Sequence, residues 1–424
     1  MKSSKRYIVM GLLLIMLFAC SRSTFITQSF YKIFPVEMGK ATTPPEGYSL
    51  VYVNHLGRNN YSYSSNTEQI NYLLDVLYNA YSQGALTSKG EALKNALSAN
   101  LAFMQGRKGS ASAIETDWQR ALAQEMQADY PGAFDKSICL IASNDLRAMQ
   151  SMIAFASALL NTPVASRMHI MAQGEVDPLL GFYKLSDRFT AYQSNVMSSM
   201  APTYNFDPNQ LLEQLFTDDF LQSMPNGYTF CTGLYDVYKS SEQPGTLVAL
   251  PSLKQKGVFE LLDARSNNLK YKVYGPDPKA DGINSEISYP LLSDFIATVD
   301  GALESDTLSG VFRFASEEVF APLLVLMDVA APVDGATASL ETPWSYAVWV
   351  PTGADIKWIV YRNNADDVLV RMEVNGKETN FPLQSDLAPY YRWADVKTYY
   401  QNKLNGLEID DHLPLELQIK SYRL

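Results

Sequence analysis

Residues 52–58 read Tyr-Val-Asn-His-Leu-Gly-Arg and continue an apolar run that begins at Leu50. The run predicts a buried strand over residues 49–53, which places His55 and Arg58 just beyond its end. The chain contains only three histidines. Because open α/β sheets bind ligands beyond the carboxyl ends of their strands, this pair is the first candidate for chemistry.

The composition is that of a globular protein. The chain has 424 residues, of which 47% are hydrophobic and 19% charged, enough for one large domain with an insertion or for two domains. The formal net charge is -11, and no basic patch with interleaved aromatic residues is present. We therefore expect no nucleic-acid partner, and an anionic ligand would need a locally positive pocket.

The first twenty residues predict export and lipid anchoring. Three basic residues precede the apolar stretch 8–18, which is too short to span a bilayer. Residues 17–20, Leu-Phe-Ala-Cys, resemble the bacterial lipobox, and this implies cleavage before Cys20 and attachment of lipid to it. The alternative is an ordinary signal peptide with an incidental cysteine. We expect a signal peptide over 1–19, a tether over 20–46, and a periplasmic or outer-membrane lipoprotein of a Gram-negative bacterium.

Two cysteines, Cys139 and Cys231, remain in the expected mature chain. They could form one disulfide in an oxidising compartment, or Cys139, which lies in an apolar run, could simply belong to the core. Neither has the spacing of a metal ligand, and the histidines are not clustered. We therefore predict no structural metal and no cofactor.

Apolar periodicity predicts alternating strands and helices at both ends of the chain and a mainly helical middle. This pattern is typical of an α/β sheet domain, here over 47–150 and 301–424, that carries a mainly helical cap over 151–300. The predicted strands are 49–53, 137–142, 310–314, 346–350, 357–362 and 368–374, and a hairpin turn at Asn375-Gly376 leads into a further strand over 378–383. The predicted helices include 66–83, 88–104, 111–129, 145–160, 207–224, 289–303, 316–328 and 394–404.

Three short motifs resemble those of the histidine acid phosphatases, and in particular the multiple inositol polyphosphate phosphatases. The family's Arg-His-Gly-x-Arg corresponds to Asn-His-Leu-Gly-Arg at 54–58, and its Ser-x-x-x-Arg to residues 143–147. Its Phe-Ala-His-Ala-Glu corresponds to Phe-Ala-Ser-Glu-Glu at 314–318. The resemblance covers nearly all of the expected mature chain. It implies the histidine-phosphatase, or phosphoglycerate-mutase-like, α/β fold: a sheet flanked by helices with an α-helical cap.

The resemblance also implies a role for each matched residue. His55 would attack phosphorus and carry the phosphoryl group as a covalent intermediate. Arg58 and Arg147 would hold the phosphate oxygens, on which charge accumulates in the transition state. Glu318 would protonate the leaving alkoxide. The expected ligand is an inositol phosphate or another phosphomonoester.

Three departures from the motifs predict weak or lost hydrolysis. Asn54 replaces an arginine and Ser316 replaces a second histidine, both at phosphate-binding positions. Leu56 replaces a glycine where the backbone would approach the ligand. If each lost polar contact costs about 2–4 kcal/mol, as for oxyanion donors, two losses would slow turnover by several powers of ten.

Each matched residue also has a structural interpretation. Ser316 and Glu318 suit the first turn of a helix, where serine caps and acidic residues favour the dipole. His55 could be a satisfied core or turn histidine, and Arg147 a structural ion-pairing residue.

Three functional hypotheses follow. The first is a lipoprotein that binds a phosphorylated ligand and hydrolyses it weakly or not at all. The second is a competent phosphatase or phytase in which another cation replaces the arginine missing at Asn54. The third is a non-catalytic nutrient-binding lipoprotein, a class that is mostly helical.

Overall fold

A computed structural model describes residues 41–59, 63, 67–200, 206–224, 226–243, 245, 247–254, 257–329 and 344–423. The predicted signal peptide, Cys20 and most of the predicted tether lie outside these ranges. Within them, no helix is both long enough and apolar enough to cross a membrane.

The described residues form a mixed sheet of eight strands: β1 (Ser49–Arg58), β2 (Ser137–Ala142), β3 (Met168–Ala172), β4 (Leu308–Ala315), β5 (Asp355–Arg362), β6 (Val368–Val374), β7 (Lys377–Thr379) and β8 (Tyr390–Arg392). Their order is β3-β2-β4-β1-β5-β6-β7, and β8 also pairs with β6. Strands β1 to β4 run parallel, and β5 to β8 are added antiparallel. The carboxyl ends of β1, β2 and β4 therefore meet at one edge of the sheet. Such a sheet does not fit the mostly helical architecture of nutrient-binding lipoproteins.

Helices cover the sheet and form a separate layer beside it. The predicted helices are present to within two residues at each end, except the one over 207–224, which is two short helices. The predicted strand over 346–350 is wrong, because this segment is a short helix, and the predicted strand over 378–383 ends at Thr379. The α-helices are α1 (Thr67–Ser82), α2 (Ser88–Met104), α3 (Ala113–Asp129), α4 (Leu146–Leu159), α5 (Phe182–Leu185), α6 (Asp187–Met200), α7 (Asn209–Leu212), α8 (Asp218–Ser223), α9 (Gly227–Ser241), α10 (Val258–Tyr274), α11 (Ile283–Glu286), α12 (Tyr289–Ser305), α13 (Glu317–Leu326), α14 (Tyr346–Trp349), α15 (Trp393–Asn405) and α16 (Leu415–Ser421).

Strand β1 is longer than its apolar run predicts. The predicted end at Val53 is wrong, because β1 continues to Arg58 with β4 paired on one side and β5 on the other. His55 is opposite Phe312 of β4 and Lys357 of β5. It therefore lies inside the central strand, and Arg58 is the residue at the strand's end.

Three apolar clusters organise the molecule. One lies on the face of the sheet covered by α12 and α13, and a second lies on the opposite face, under α3 and α4. The third holds α1 and α2 together with α7 to α10, and forms the helical layer. This layer thus includes helices that precede the predicted cap of 151–300, whereas α12, inside that range, packs on β1.

The predicted hairpin turn is present. Asn375 and Gly376 have φ values of 55° and 70°, as a type I′ turn requires, and the turn connects β6 to β7.

Cys139 in β2 and Cys231 in α9 are both unpaired thiols. Burial raises the pKa of the Cys231 thiol to about 12, so this residue behaves as an apolar core group.

Candidate functional site

The candidate site lies at the edge of the sheet where three parallel strands end. The amide of Asn59, which follows β1, donates to the carbonyl of Ala315 at 2.9 Å. The amide of Ser143, which follows β2, donates to the carbonyl of Phe314 at 3.0 Å. These bonds hold together the three chain segments that carry Arg58, Arg147 and Glu318.

Arg58 directs its guanidinium into this edge. Its Nη2 donates to Oε2 of Glu317 at 2.6 Å, and its Nη1 donates to the carbonyl of Val350. The guanidinium also lies 5.9 Å from the centre of the Tyr346 ring. The side chain is only 12% exposed, so its ion pair with Glu317 is largely shielded from water.

Lys270 brings a second cation to the same carboxylate. This lysine of α10 donates from Nζ to Oε1 of Glu317, and its ammonium lies 5.2 Å from the ring centre of Tyr346 and 5.3 Å from that of Tyr274. No motif points to Lys270, because a lysine on an amphipathic helix is ordinarily solvated. Sequence reasoning therefore missed it.

Glu317 is the group that these cations share. Burial opposes ionisation of its carboxyl, but the charges of Lys270 and Arg58 outweigh burial and lower the pKa to about 2. Glu317 is therefore ionised at neutral pH. Sequence reasoning treated it only as part of a helix start, although it stands at the alanine of the family's Phe-Ala-His-Ala-Glu motif.

Arg147 is held by its neighbour Asp145. Its Nε lies 3.2 Å from Oδ1 of Asp145, which also accepts the amide of Arg147 at 2.9 Å and so caps α4. Burial opposes ionisation of Asp145, but Arg147 outweighs it and lowers the pKa of that carboxyl. Burial lowers the pKa of Arg147, and the carboxylates of Asp145, Glu318 and Glu317 more than offset this. Arg147 thus forms the ion pair of the structural interpretation, and it also lies at the sheet edge, where the motif predicts it.

Ser316 and Glu318 lie at the start of α13, beside Tyr183. The Ser316 side chain acts on the Tyr183 hydroxyl and opposes the rise of its pKa. Burial and the negative charge of Glu318 raise the pKa of Tyr183 to about 12. Both residues therefore reach the edge, in agreement with their predicted location. Their predicted roles in binding and protonation stay predictions.

His55 is in a different environment. Its ring is fully buried in the sheet, with centroids 5.8 Å from Phe312 and 5.9 Å from Phe314. Neither ring nitrogen has a hydrogen-bond partner among the described residues, and Nε2 lies 3.9 Å from Oδ2 of Asp355. Burial, with the charges of Lys357 and Arg313, holds the pKa of His55 well below its ordinary value. The imidazole is therefore neutral, as a nucleophile must be, but it is enclosed.

The side chain of Asn54 lies on the face of the sheet opposite to that of His55. Its amide donates to the carbonyl of Phe295 at 2.8 Å and to Oγ1 of Thr298 at 3.1 Å, both on α12. Its oxygen accepts from the guanidinium of Arg313, which also pairs with Asp294. Asn54 is fully buried, and the structure does not bring its side chain to Arg58 at the edge.

We call the group Arg58, Arg147, Lys270, Glu317 and Glu318 the edge site. Its three cations could hold an anion, but each already lies against a carboxylate of this chain. Among the described residues, no cluster of histidine, cysteine and carboxylate side chains is arranged to hold a metal ion. The edge site is thus an anion-binding arrangement that is internally neutralised.

Comparison with known proteins identifies the fold. No protein-family model matches the sequence, and no curated protein matches it. Among solved structures, the multiple inositol polyphosphate phosphatase of Bifidobacterium longum in complex with phosphate has a TM-score of 0.72 at 15% identity, over 89% of this chain and 98% of that chain. Its complex with inositol hexasulfate also has a TM-score of 0.72, at 16% identity, over 88% and 96% of the two chains.

A phytase from D. castellii has a TM-score of 0.66 at 13% identity, over 89% of this chain and 85% of that chain. At these identities the likeness is one of fold. The predicted α/β fold and the resemblance to histidine acid phosphatases and multiple inositol polyphosphate phosphatases are confirmed at that level.

Proposed function

We propose that this chain binds a phosphorylated small molecule at the edge site and hydrolyses phosphomonoesters weakly or not at all. The observation that carries the proposal is the convergence of Arg58 and Lys270 on a single carboxylate at the carboxyl edge of the sheet. Two cations that share one carboxylate also match the paired oxygens of a phosphate group. The charge of Glu317 also helps to raise the pKa of Arg147.

The fold supports the choice of ligand. The Bifidobacterium longum protein of this fold was solved with phosphate and with inositol hexasulfate, so the architecture can present an anion site. In this chain, the net charge of -11 opposes anions at long range. Binding would therefore depend on the local cations Arg58, Lys270 and Arg147.

The position of His55 supports weak or absent hydrolysis. Phosphoryl transfer to an imidazole needs a ring nitrogen in line with phosphorus and within reach of it. His55 is enclosed between Phe312 and Phe314, three residues before the end of β1. In addition, Ser316 replaces the imidazole that would stabilise the phosphate oxygens in the transition state. We propose phosphohistidine formation at His55 only as a slow reaction that would require the strand end to open.

Binding and turnover should be measured separately. We expect calorimetry to detect inositol hexakisphosphate binding that Arg58→Ala weakens by about tenfold or more, because a charged partner is removed. Hydrolysis of the same compound and of a chromogenic phosphate ester should stay near background. Turnover comparable to that of ordinary phosphatases, abolished by His55→Ala, would overturn the claim of weak hydrolysis. Absence of binding would overturn the proposed function.

A competent phosphatase with a rearranged pocket is the second candidate, and Lys270 favours it. This lysine supplies a cation at the edge that no motif residue provides, and so could replace the arginine missing at Asn54. In that case, hydrolysis would be readily measurable and Lys270→Ala would reduce kcat by about a hundredfold, as for the loss of a transition-state donor.

We also propose that the chain is exported and anchored through lipid on Cys20. The support is the sequence alone: the basic start, the apolar stretch 8–18 and the lipobox-like residues 17–20. Expression with a radioactive fatty acid should label the wild-type chain and leave Cys20→Ser unlabelled. Equal labelling of both would contradict the anchor.

A further inference from the structure

The Glu317 carboxylate is bound in the way that a ligand anion would be. Its Oε2 accepts from Arg58 at 2.6 Å, and its Oε1 accepts from Lys270. Each oxygen thus has its own cation, as the oxygens of a bound phosphate group would have. The Glu317 side chain is 20% exposed, so the pair of contacts is made at the border between protein and solvent.

The surroundings of these cations add to this picture. Arg58 and Lys270 both lie against the Tyr346 ring, at 5.9 Å and 5.2 Å from its centre. Two cations gathered around one ring repel each other unless an anion lies between them. Here that anion is part of the protein. It is the carboxylate of Glu317, the first residue of α13. The family motif has alanine at this position, and a methyl group could not fill that role.

We propose that Glu317 is an internal occupant of the edge site, holding the place between Arg58 and Lys270 that a phosphate group of the ligand would take. This inference rests on the proposed function. It makes Glu317 the residue that sets the affinity of the site, since an incoming anion must displace its carboxylate. Inorganic phosphate, with few contacts to offset that displacement, should bind poorly.

Glu317 does not compete with Glu318 for the role of acid in the unliganded chain. Because Lys270 and Arg58 keep Glu317 ionised, it has no proton to donate at neutral pH. Its effect on a ligand is therefore repulsion and exclusion. Removing its charge should strengthen anion binding, whereas removing a phosphate-binding residue would weaken it.

The test compares Glu317→Gln and Glu317→Ala with wild type, using inorganic phosphate and inositol hexakisphosphate in calorimetry. We expect both variants to bind each compound at least about tenfold more tightly, the factor that corresponds to one shielded ion pair. Both should also melt at a lower temperature without phosphate and regain stability when phosphate is added, because the anion then separates the two cations.

Glu260→Gln is the matched control. Glu260 is also an acidic residue in the first turn of a helix, α10, but it is exposed and makes none of these contacts. We expect its effect on both affinities to stay within about twofold.

The outcomes separate the inference from the function on which it rests. Unchanged affinity in folded Glu317 variants, with binding still weakened by Arg58→Ala, would overturn the inference and leave the proposed function standing. No binding by wild type or by either variant would overturn both. Binding by the variants alone would support Glu317 as the occupant of an anion site, but would overturn the proposed function, because the wild-type chain would then bind neither compound. If Glu317→Ala fails to fold, the isosteric Glu317→Gln decides.

Discussion

The imidazole of His55 lies directly over the backbone of Gly57. A Cβ atom built on Gly57 would be 2.9 Å from Cε1 of His55 and 3.3 Å from its Nε2. Residues 55 and 57 share a face of β1, and the next residue on that face, Val53, belongs to the apolar core. Gly57 therefore provides the space in which the buried ring fits, while Leu56 belongs to the core on the opposite face.

We expect Gly57→Ala to destabilise the fold by about 1–3 kcal/mol, because the new methyl group overlaps the His55 ring. The free energy of unfolding, from urea denaturation, measures this. Combining Gly57→Ala with His55→Ala should recover most of the loss that Gly57→Ala causes alone, since the ring is then absent. Strictly additive effects in this double-mutant cycle would show that the two residues do not contact each other.

The neutral state of His55 predicts a pH dependence of stability. Burial, Lys357 and Arg313 hold the folded pKa well below 6.5, so below pH 6.5 the unfolded chain binds a proton that the folded chain does not. Stability contributed by the neutral ring is thus present above pH 6.5 and falls as the pH falls below it. We expect the ε1 proton resonance of His55 to stay constant from pH 8 to about pH 5.5.

A variant without the imidazole should not lose stability in this way as the pH falls. Between pH 7.5 and 5.5, His55→Leu should gain about 1.4 kcal/mol of unfolding free energy relative to wild type. His169→Gln, which removes an exposed histidine at the end of the sheet, is the control and should show no such gain. Titration of His55 near pH 6.5 in the folded protein would contradict the assignment.

Much of the fold could be predicted from apolar periodicity, because most of its elements bury one regular face. The predictions fail where tertiary contacts decide. Residues 207–224 have a helical pattern, but Phe216 pairs with Leu86 in a β-bridge and the amide of Thr217 donates to Ala85, so the helix is divided. Likewise β1 extends past its apolar residues because β4 and β5 satisfy its backbone on both sides.

The site was predictable only in part. The motifs led to Arg58, Arg147, Ser316 and Glu318, because each of these residues lies in a short stretch that resembles a family motif. Lys270 reaches the edge from α10, and no local pattern encodes that contact. The burial of His55 was also invisible, since it depends on which residue of β1 is the last to pair. The motif residues thus predict where the site lies. The pairing of its cations with carboxylates depends on how the helices pack.

Restoring the family's arginine at position 54 should fail to restore activity. Asn54→Arg would place a second guanidinium against Arg313 in a fully buried site, and we expect it to cost about 3 kcal/mol or more of unfolding free energy. Hydrolysis of a chromogenic phosphate ester should stay at the wild-type level. Asn54→Asp, which keeps an acceptor for Arg313, should cost less. A stable Asn54→Arg variant with increased turnover would mean that this side chain reaches the edge.

Lys357 is a buried cation on the face of β1 that carries His55, opposite to the face that carries Asn54. It is 1% exposed, and its Nζ lies 2.6 Å from Oδ2 of Asp355 and 3.6 Å from Oε2 of Glu373. Glu373 also accepts from Tyr130 and Arg371, whereas the remaining ion-pair neighbour of Asp355 among the described residues is the neutral imidazole of His55, whose Nε2 lies 3.9 Å away. Lys357→Met therefore leaves a largely buried carboxylate without its main counter-charge, and should cost about 3–5 kcal/mol at pH 7.

Removing this ammonium should also raise the pKa of His55, because its charge is one of the causes that hold that pKa low. The ε1 proton resonance of His55, assigned by its absence in His55→Leu, should then begin to titrate at a higher pH in Lys357→Met than in wild type. Lys136→Met, which removes a partly exposed lysine from its ion pair with Asp306, should leave that resonance unchanged. If Lys357→Met also leaves it unchanged, then burial and the charge of Arg313 keep the imidazole neutral without a contribution from Lys357.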